Sequence, residues 1–384
     1  MQKFVRFIVA VVIGFELKRS FIKKSLGFAG LNLGLVSPKL YGLGTLAGLL
    51  AGANAVQAQS QATPAVLGGH APLSPTLRQG HAIILNSRDA SLSLVDRQSY
   101  KEIGRVEVGK EPHHLYPTPD GKALIVANAV SNDLHFVDPF DGKVLQRVRG
   151  IDDPYQIAFS PDSKWFVSAA LRLNRVDFYT MKQETALTVP EFRLVKKLAI
   201  ARAPSHLWFS ADSRWCFITL QESEEIAAID MLTQTLAWRL QVGKLPAGIL
   251  MSADDKHLLV GVMGEDFVNV VDWRAQKSIA KIKTGNGAHN FRGFGDQRHV
   301  FVSNRVAGTV SRLDLKNMSV VSTMSVPGGP DCMELTADRK QLWVTSRWAK
   351  QVSVMDTETQ KLIVAIPVGR SPHGIFFANR AALV

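Results

Sequence analysis

The chain has 384 residues, 46% of them hydrophobic and 20% charged, with a formal net charge of +12. That apolar share excludes a natively disordered polymer and is enough to bury a sizeable core. Two cysteines exclude a scaffold stapled by disulfides.

The segment 1–58 stands apart from the rest. It holds Lys18-Arg19-Ser20-Phe21-Ile22-Lys23-Lys24, then an apolar Gly-rich stretch, then Val56-Gln57-Ala58. A basic region, an apolar region and a small-residue cleavage site predict a cleavable export signal over 1–58, cut near Ala55 or Ala58, and a periplasmic destination. The basic stretch is similar to a twin-arginine export motif with Lys18 in place of the first arginine; the ordinary secretory route is the alternative. The apolar run over 4–15 is too short to cross a bilayer, so the mature chain is expected to have no transmembrane span. The segment carries seven Lys/Arg and one Glu, or +6 of the +12, and leaves the mature chain at +6. A mild excess of that kind suits an anionic partner without requiring one. The stretch 59–80, rich in Gln, Pro and Ala, reads as a disordered lead-in, and the folded domain is expected over 81–384.

From there a turn of the form small residue-x-Asp recurs. Its aspartates are Asp120, Asp162, Asp212, Asp254, Asp296 and Asp338, equally spaced except for one longer step between Asp162 and Asp212. A decayed copy follows at Phe377-Ala378-Asn379. A fixed period of about 40–45 residues predicts propeller blades. Each unit reads as four strands: a short run after a Pro-x-x entry, a β-rich run after the Asp turn, an alternating strand ending in Asp, and a last strand. The surplus of the third unit falls near 185–191 and predicts an extended hairpin. The last innermost strand, over 374–378, has no successors. Three strands over 82–87, 91–96 and 102–108 have no innermost strand before them. The expected fold is therefore all-β: a seven-bladed propeller of four antiparallel strands per blade, closed by the C-terminal strand joining the three N-terminal ones. Closure of this kind removes free sheet edges. Cys216 and Cys332 fall in different blades, and no disulfide is expected between them.

The entries to the innermost strands rim the central channel. They read Pro112-His113-His114, Pro154-Tyr155-Gln156, Pro204-Ser205-His206, Pro246-Ala247-Gly248, Ala288-His289-Asn290, Pro330-Asp331-Cys332 and Pro372-His373-Gly374. Five of the ten histidines lie in these fourteen positions, which makes His113, His114, Tyr155, Gln156, His206 and Asn290 candidate ligand contacts. Neutral imidazole is the commonest metal ligand. His113, His114, His206, His289 and His373, with Asp331 and Cys332, could therefore hold copper or zinc ahead of haem; the bland reading is a rim of solvated polar residues. Loops on the same face contribute Arg88, Arg172, Arg305, Arg347 and the expected-exposed Trp348, a set suited to a small anionic ligand held by forked hydrogen bonds or to a stacked base. Glu222, Glu224, Glu225, Glu265 and Asp266 make that face two-signed, which counts against a nucleic-acid groove. Trp165, Trp215 and Trp343 are expected to pack between blades, and the aspartates ending the third strands to cap turns. There is no Gly-rich phosphate loop, no Gly-x-Ser-x-Gly elbow and no Cys-x-x-Cys-His.

The units Lys340-Gln341-Leu342-Trp343-Val344-Thr345-Ser346, Val352-Ser353-Val354-Met355-Asp356 and Ile366-Pro367-Val368-Gly369 closely resemble the YVTN-type β-propeller repeat over residues 82–378. The resemblance implies the propeller fold and an exported protein, and it leaves the activity open. One similar bacterial periplasmic group is associated with single-stranded DNA. Glu111-Pro112-His113-His114 is loosely similar to a copper-ligand stretch of nitrous oxide reductase, whose other ligand motifs are missing here. The expectation is a monomeric periplasmic binding protein that engages a small anionic ligand or another periplasmic protein at the His/Arg-rich channel mouth. The alternatives are a metal- or cofactor-dependent redox enzyme at the same histidines, and a single-stranded nucleic-acid or protein-interaction scaffold.

Overall fold

The computed structural model describes residues 81–182 and 189–383; the expected export signal and lead-in lie outside them. Seven four-stranded antiparallel sheets form a ring. The innermost strands are Pro112–Pro117, Pro154–Phe159, Pro204–Phe209, Pro246–Met251, Ala288–Gly293, Pro330–Leu335 and Pro372–Phe376. Each packs against the next in chain order, and the last packs against the first. The closing sheet places Pro372–Phe376 beside Ala82–Asn86, Ser91–Asp96 and Lys101–Glu107, as the repeat count requires. In the third unit the outer strands lengthen to Arg175–Lys182 and Glu191–Ala199. No helix of the described residues is long and apolar enough to cross a membrane.

The repeated Asp turn has a simple cause. The hydroxyl of Thr118, Ser160, Ser210, Ser252 or Thr336 donates to the aspartate two residues on, at 2.6 Å each time. The same carboxylate accepts a backbone N–H two residues further, such as Lys122 or Arg214. Phe294 offers no hydroxyl, and there the His299 ring takes the carboxylate of Asp296 instead, at 2.6 Å. Asp138, Asp230, Asp272, Asp314 and Asp356 cap the next turn through backbone N–H groups.

Apolar side chains fill the gaps between blades. Seven buried clusters occupy the seven gaps. Trp343 is fully buried in the closing gap with Phe377, Ile84 and Val354; Trp165 and Trp215 edge two other clusters. Both cysteines are free and buried.

The innermost strands depart from regular pairing at one place. Pro112 pairs with Asn128 and Leu115 with Val126, so His113 and His114 stand opposite a single residue. The same two-against-one shift recurs at Pro204/Leu207, Pro246/Ile249, Ala288/Phe291 and Pro330/Met333, and His373-Gly374 sit in the equivalent irregularity of the closing sheet. Such a bulge interrupts side-chain alternation and re-aims consecutive residues. The residue before each strand takes a left-handed φ: Glu111, Asp153, Ala203, Leu245, Gly287, Gly329 and Ser371.

Closure by Pro372–Phe376 carries a direct prediction. A chain ending at Ser371 leaves the Ala82–Asn86 edge unpaired and strips Trp343 of Phe377 and Ile375. It should lose cooperative thermal unfolding and elute as aggregate. A folded monomer melting within a few degrees of the full chain would contradict this.

Candidate metal centre at the channel mouth

The bulges bring the predicted histidines together. His113, His114, His206, His289 and His373 are all buried, at most 5% exposed. Their ring centroids form a connected cluster: His113 to His373 is 3.8 Å, His114 to His373 4.8 Å, His113 to His114 4.9 Å, His114 to His206 5.1 Å and His206 to His289 5.5 Å. Tyr155 stacks on His113 at 3.9 Å. His113, His114 and His373 each offer a ligand atom within 4.8 Å of the other two. Asp331, Cys332 and His373 meet the same test.

The expected place of these residues was the loops leading into the strands. They lie inside the strands, in the bulges, and the bulge explains how neighbours such as His113 and His114 both reach the cluster. Backbone N–H groups freed by the bulge find hydroxyls on the adjoining strand. His206 N–H donates to Thr219 at 3.0 Å, Cys332 N–H to Thr345 at 3.0 Å and Asn290 N–H to Ser303 at 3.1 Å. Thr219, Ser303 and Thr345 each stand one residue before the end of a second strand, a sequence signal of the bulge that the histidine pattern alone does not carry. Gly374 serves the same packing: a Cβ there would stand 3.0 Å from Leu85 and 3.2 Å from the His113 carbonyl oxygen.

Protonation follows from the partners. His373 Nδ1 lies 2.6 Å from the His113 carbonyl oxygen. A carbonyl only accepts, so Nδ1 carries the proton and the Nε2 lone pair is left for the cluster. Arg305 Nη2 lies 2.7 Å from His289 Nε2. Arginine only donates, so His289 carries its proton on Nδ1, which faces Asp331 at 3.1 Å. His289 is thereby committed to the Asp331–Arg305 network. His206 Nδ1 is 2.6 Å from Ser205 Oγ, itself a 2.8 Å acceptor of Gln221. Among the described residues, His113 Nδ1, His114 Nε2, His206 Nε2, His373 Nε2 and, despite its 3.1 Å approach to Asp331, His289 Nδ1 are buried without a hydrogen bond of good geometry. Buried polar atoms are costly in that state, and those of His113, His114 and His373 belong to one group of close side chains.

Burial pushes the imidazoles of His113, His114, His206 and His373 well below their ordinary value and His289 down to about 4, so the rings are neutral at pH 7. Burial acts on Asp331 in the opposite sense, yet Arg305, His373 and His289 together hold its carboxyl well below the usual range. Arg305 Nη2 stands 2.7 Å and Arg347 Nη1 3.4 Å from Asp331 Oδ2. Burial, reinforced by Asp331, keeps Cys332 a thiol, 3.6 Å from His373 Nδ1. Burial also raises the Tyr155 phenol to about 12.

The remaining candidates divide. Asn290 donates to Cys332 Sγ at 3.2 Å, a contact that opposes the effect of burial on the thiol without outweighing it. Gln156 does not join the mouth. Its blade pairs Pro154 with Ala170 and Gln156 with Ala169, so only Tyr155 is displaced. Gln156 returns to the ladder and bridges blades, donating to Tyr116 and accepting from Leu207 N–H, each at 2.5 Å. Arg172 is held by Glu111 at 2.7 Å and Asp153 at 2.5 Å, two carboxylates supplied by left-handed residues and not anticipated from the sequence. Arg88 is exposed and meets Arg370 through the backbone. Trp348 is 55% exposed; its indole lies on Gly329, where a Cβ would stand 2.6 Å from Cδ2.

Fold and mouth together define a seven-bladed propeller with a buried histidine cluster where its innermost strands meet. The chain belongs to the YNCE-like beta-propeller family, whose model matches residues 43–382. It is similar in structure to a functionally unknown protein from Desulfotomaculum acetoxidans DSM 771, with a TM-score of 0.65, 13% identity, and 77% of this chain and 98% of that one covered. It is also similar to the dihydro-heme d1 dehydrogenase NirN in complex with DHE, with a TM-score of 0.59, 14% identity and 80% and 78% covered. A third likeness is to Kuenenia stuttgartiensis hydrazine synthase, with a TM-score of 0.57, 17% identity and 70% and 91% covered. At these identities the likeness is one of fold. No curated protein matches the sequence.

The depressed imidazoles set a pH dependence. In the unfolded chain each histidine takes up a proton as pH falls through about 6.5, whereas the buried rings resist until lower pH, about 4 for His289. The unfolded state then binds more protons, so stability falls on acidification from pH 7 towards 4, by up to about 1.4 kcal/mol per pH unit for each imidazole. Asp331, held low, keeps its contribution above about pH 3.9 and adds no slope in this window. Denaturant melts of chelator-treated protein should show this decline, shallower in a His113→Gln/His114→Gln/His206→Gln variant. A flat wild-type profile would contradict it.

Proposed function

We propose that the protein is an exported metal-binding propeller, holding one first-row transition-metal ion through His113, His114 and His373. One observation carries the reading: three buried, neutral imidazoles lie within ligand reach of each other, and the His373 lone pair is aimed inward by its 2.6 Å bond to the His113 carbonyl. A metal-bound histidine is typically fixed this way, through a hydrogen bond from its other ring nitrogen. Imidazole donors suit copper and zinc. Three protein ligands leave a position open to a small ligand, the pattern of reactive rather than purely structural sites. His206 lies beside His114, 5.1 Å between ring centroids, outside the three-histidine group. Rings packed 3.8–5.1 Å apart leave no slot for a macrocycle between them, which favours an ion over haem. Arg305, Arg347 and Arg172, expected to grip a small anionic ligand, are engaged by Asp331, Asp153 and Glu111, so a ligand held by the arginines alone is the weaker reading.

Metal analysis of protein exported through its own signal tests this. About one copper or zinc per chain is expected, and its removal should cost stability that returns on titration, about 2.7 kcal/mol at a hundredfold excess over Kd. A His113→Asn/His373→Asn variant should lose both effects. Metal-free protein whose melting is unmoved by added copper or zinc would overturn the proposal.

A further inference from the structure

The three imidazoles that would hold the ion bring no charge to it. The nearest carboxylate, Asp331, is fully buried and already shared by Arg305 and Arg347. Glu111 and Asp153 are taken by Arg172. A divalent ion therefore joins two guanidinium groups against one carboxylate, in a setting where burial makes unbalanced charge expensive. Three protein ligands leave a coordination position for a group that restores the balance.

The surroundings say where that group sits and how large it is. The five histidines and Asp331 are buried, while the side chains of Arg305 and Arg347 remain 15% and 21% exposed. Those two guanidinium groups thus form the solvent side of the cluster. Tyr155 lies half-buried against His113, at 3.9 Å between centroids, and 6.0 Å from both His114 and His206. Tyr155 is half-buried where the histidines beside it are buried, so its exposed part lies on the solvent side with Arg305 and Arg347. A phenol donor and two guanidinium groups facing an open metal position make a receptor for negative charge. The close packing of the rings limits the guest to a few atoms.

We infer that the metal centre takes a small inorganic anion at its open position, admitted past Arg305 and Arg347 and hydrogen-bonded by the Tyr155 hydroxyl. This rests on the metal reading above and names the ligand class of the same site. Azide is a suitable probe because its binding to copper(II) changes both the absorption and the electron paramagnetic resonance spectra. Copper-loaded protein is titrated with azide, and copper content is measured in parallel so that metal loss and anion loss are read separately. A saturable spectral change is expected, with Kd raised about tenfold in Tyr155→Phe and in Arg347→Gln, as the loss of one charge-assisted hydrogen bond implies. Fully loaded protein whose spectra do not change up to about 0.1 M azide, or equal Kd in wild type and both variants, overturns the anion site and leaves the metal site standing. A protein that takes up no copper overturns both.

Discussion

Two residues facing one, at the start of each innermost strand, is the constraint on which the channel mouth depends. Regular β alternation would send the two residues of each pair to opposite faces of their sheet, towards different neighbouring blades. The bulge lifts that rule at His113-His114 and Asp331-Cys332, so seven strands can present more than seven side chains to one small space. The cost is a set of unpaired backbone N–H groups and a left-handed residue at each entry. Both are met locally. Thr219, Ser303 and Thr345 take N–H groups, and the carbonyls of six left-handed residues take the first N–H of the neighbouring loop. In the remaining blade Arg172 N–H bonds the Asp153 carboxylate instead, at 2.5 Å, and that exchange is what turns Arg172 inward to be clamped.

Two kinds of group share the cluster, and their roles separate by charge. Asp331, Arg305, Arg347 and His289 form a closed ionic network in which every tautomer is dictated by a partner that can only donate or only accept. His113, His114, His206 and His373 form the uncharged part; each has a buried nitrogen unpaired, as His289 does on its Asp331 side. The network fixes the frame and the field, and the uncharged part supplies lone pairs. Linking them, His373 bonds the backbone of His113 while its Nε2 lies 3.5 Å from Asp331. Displacement of either part therefore moves the other.

Much of this was legible in the chain. The even recurrence of a hydroxyl-x-Asp turn is visible because the turn needs those side chains in nearly every blade, and the missing first strand at one end matches the surplus strand at the other. The histidine ring was visible because Pro marks the same position in six of seven entries. The bulge itself was not. Its presence decides that Tyr155 reaches the cluster while Gln156 does not, and no local residue pattern distinguishes Pro154-Tyr155-Gln156 from Pro112-His113-His114. The pairing of the arginines was hidden for a different reason. Arg305 and its carboxylate Asp331 come from adjacent blades, so the packing of one blade on the next brings them together.

Imidazoles of His113, His114 and His373, and not the neighbouring thiol or carboxylate, are proposed to hold the ion. X-ray absorption at the metal edge of copper- or zinc-loaded protein tests it most directly. Three imidazole nitrogens are expected at about 2.0 Å, with the outer-shell scattering of the rings. A sulfur at about 2.3 Å would move the centre to Cys332, and a shell of oxygen without imidazole scattering would remove it from the channel mouth altogether.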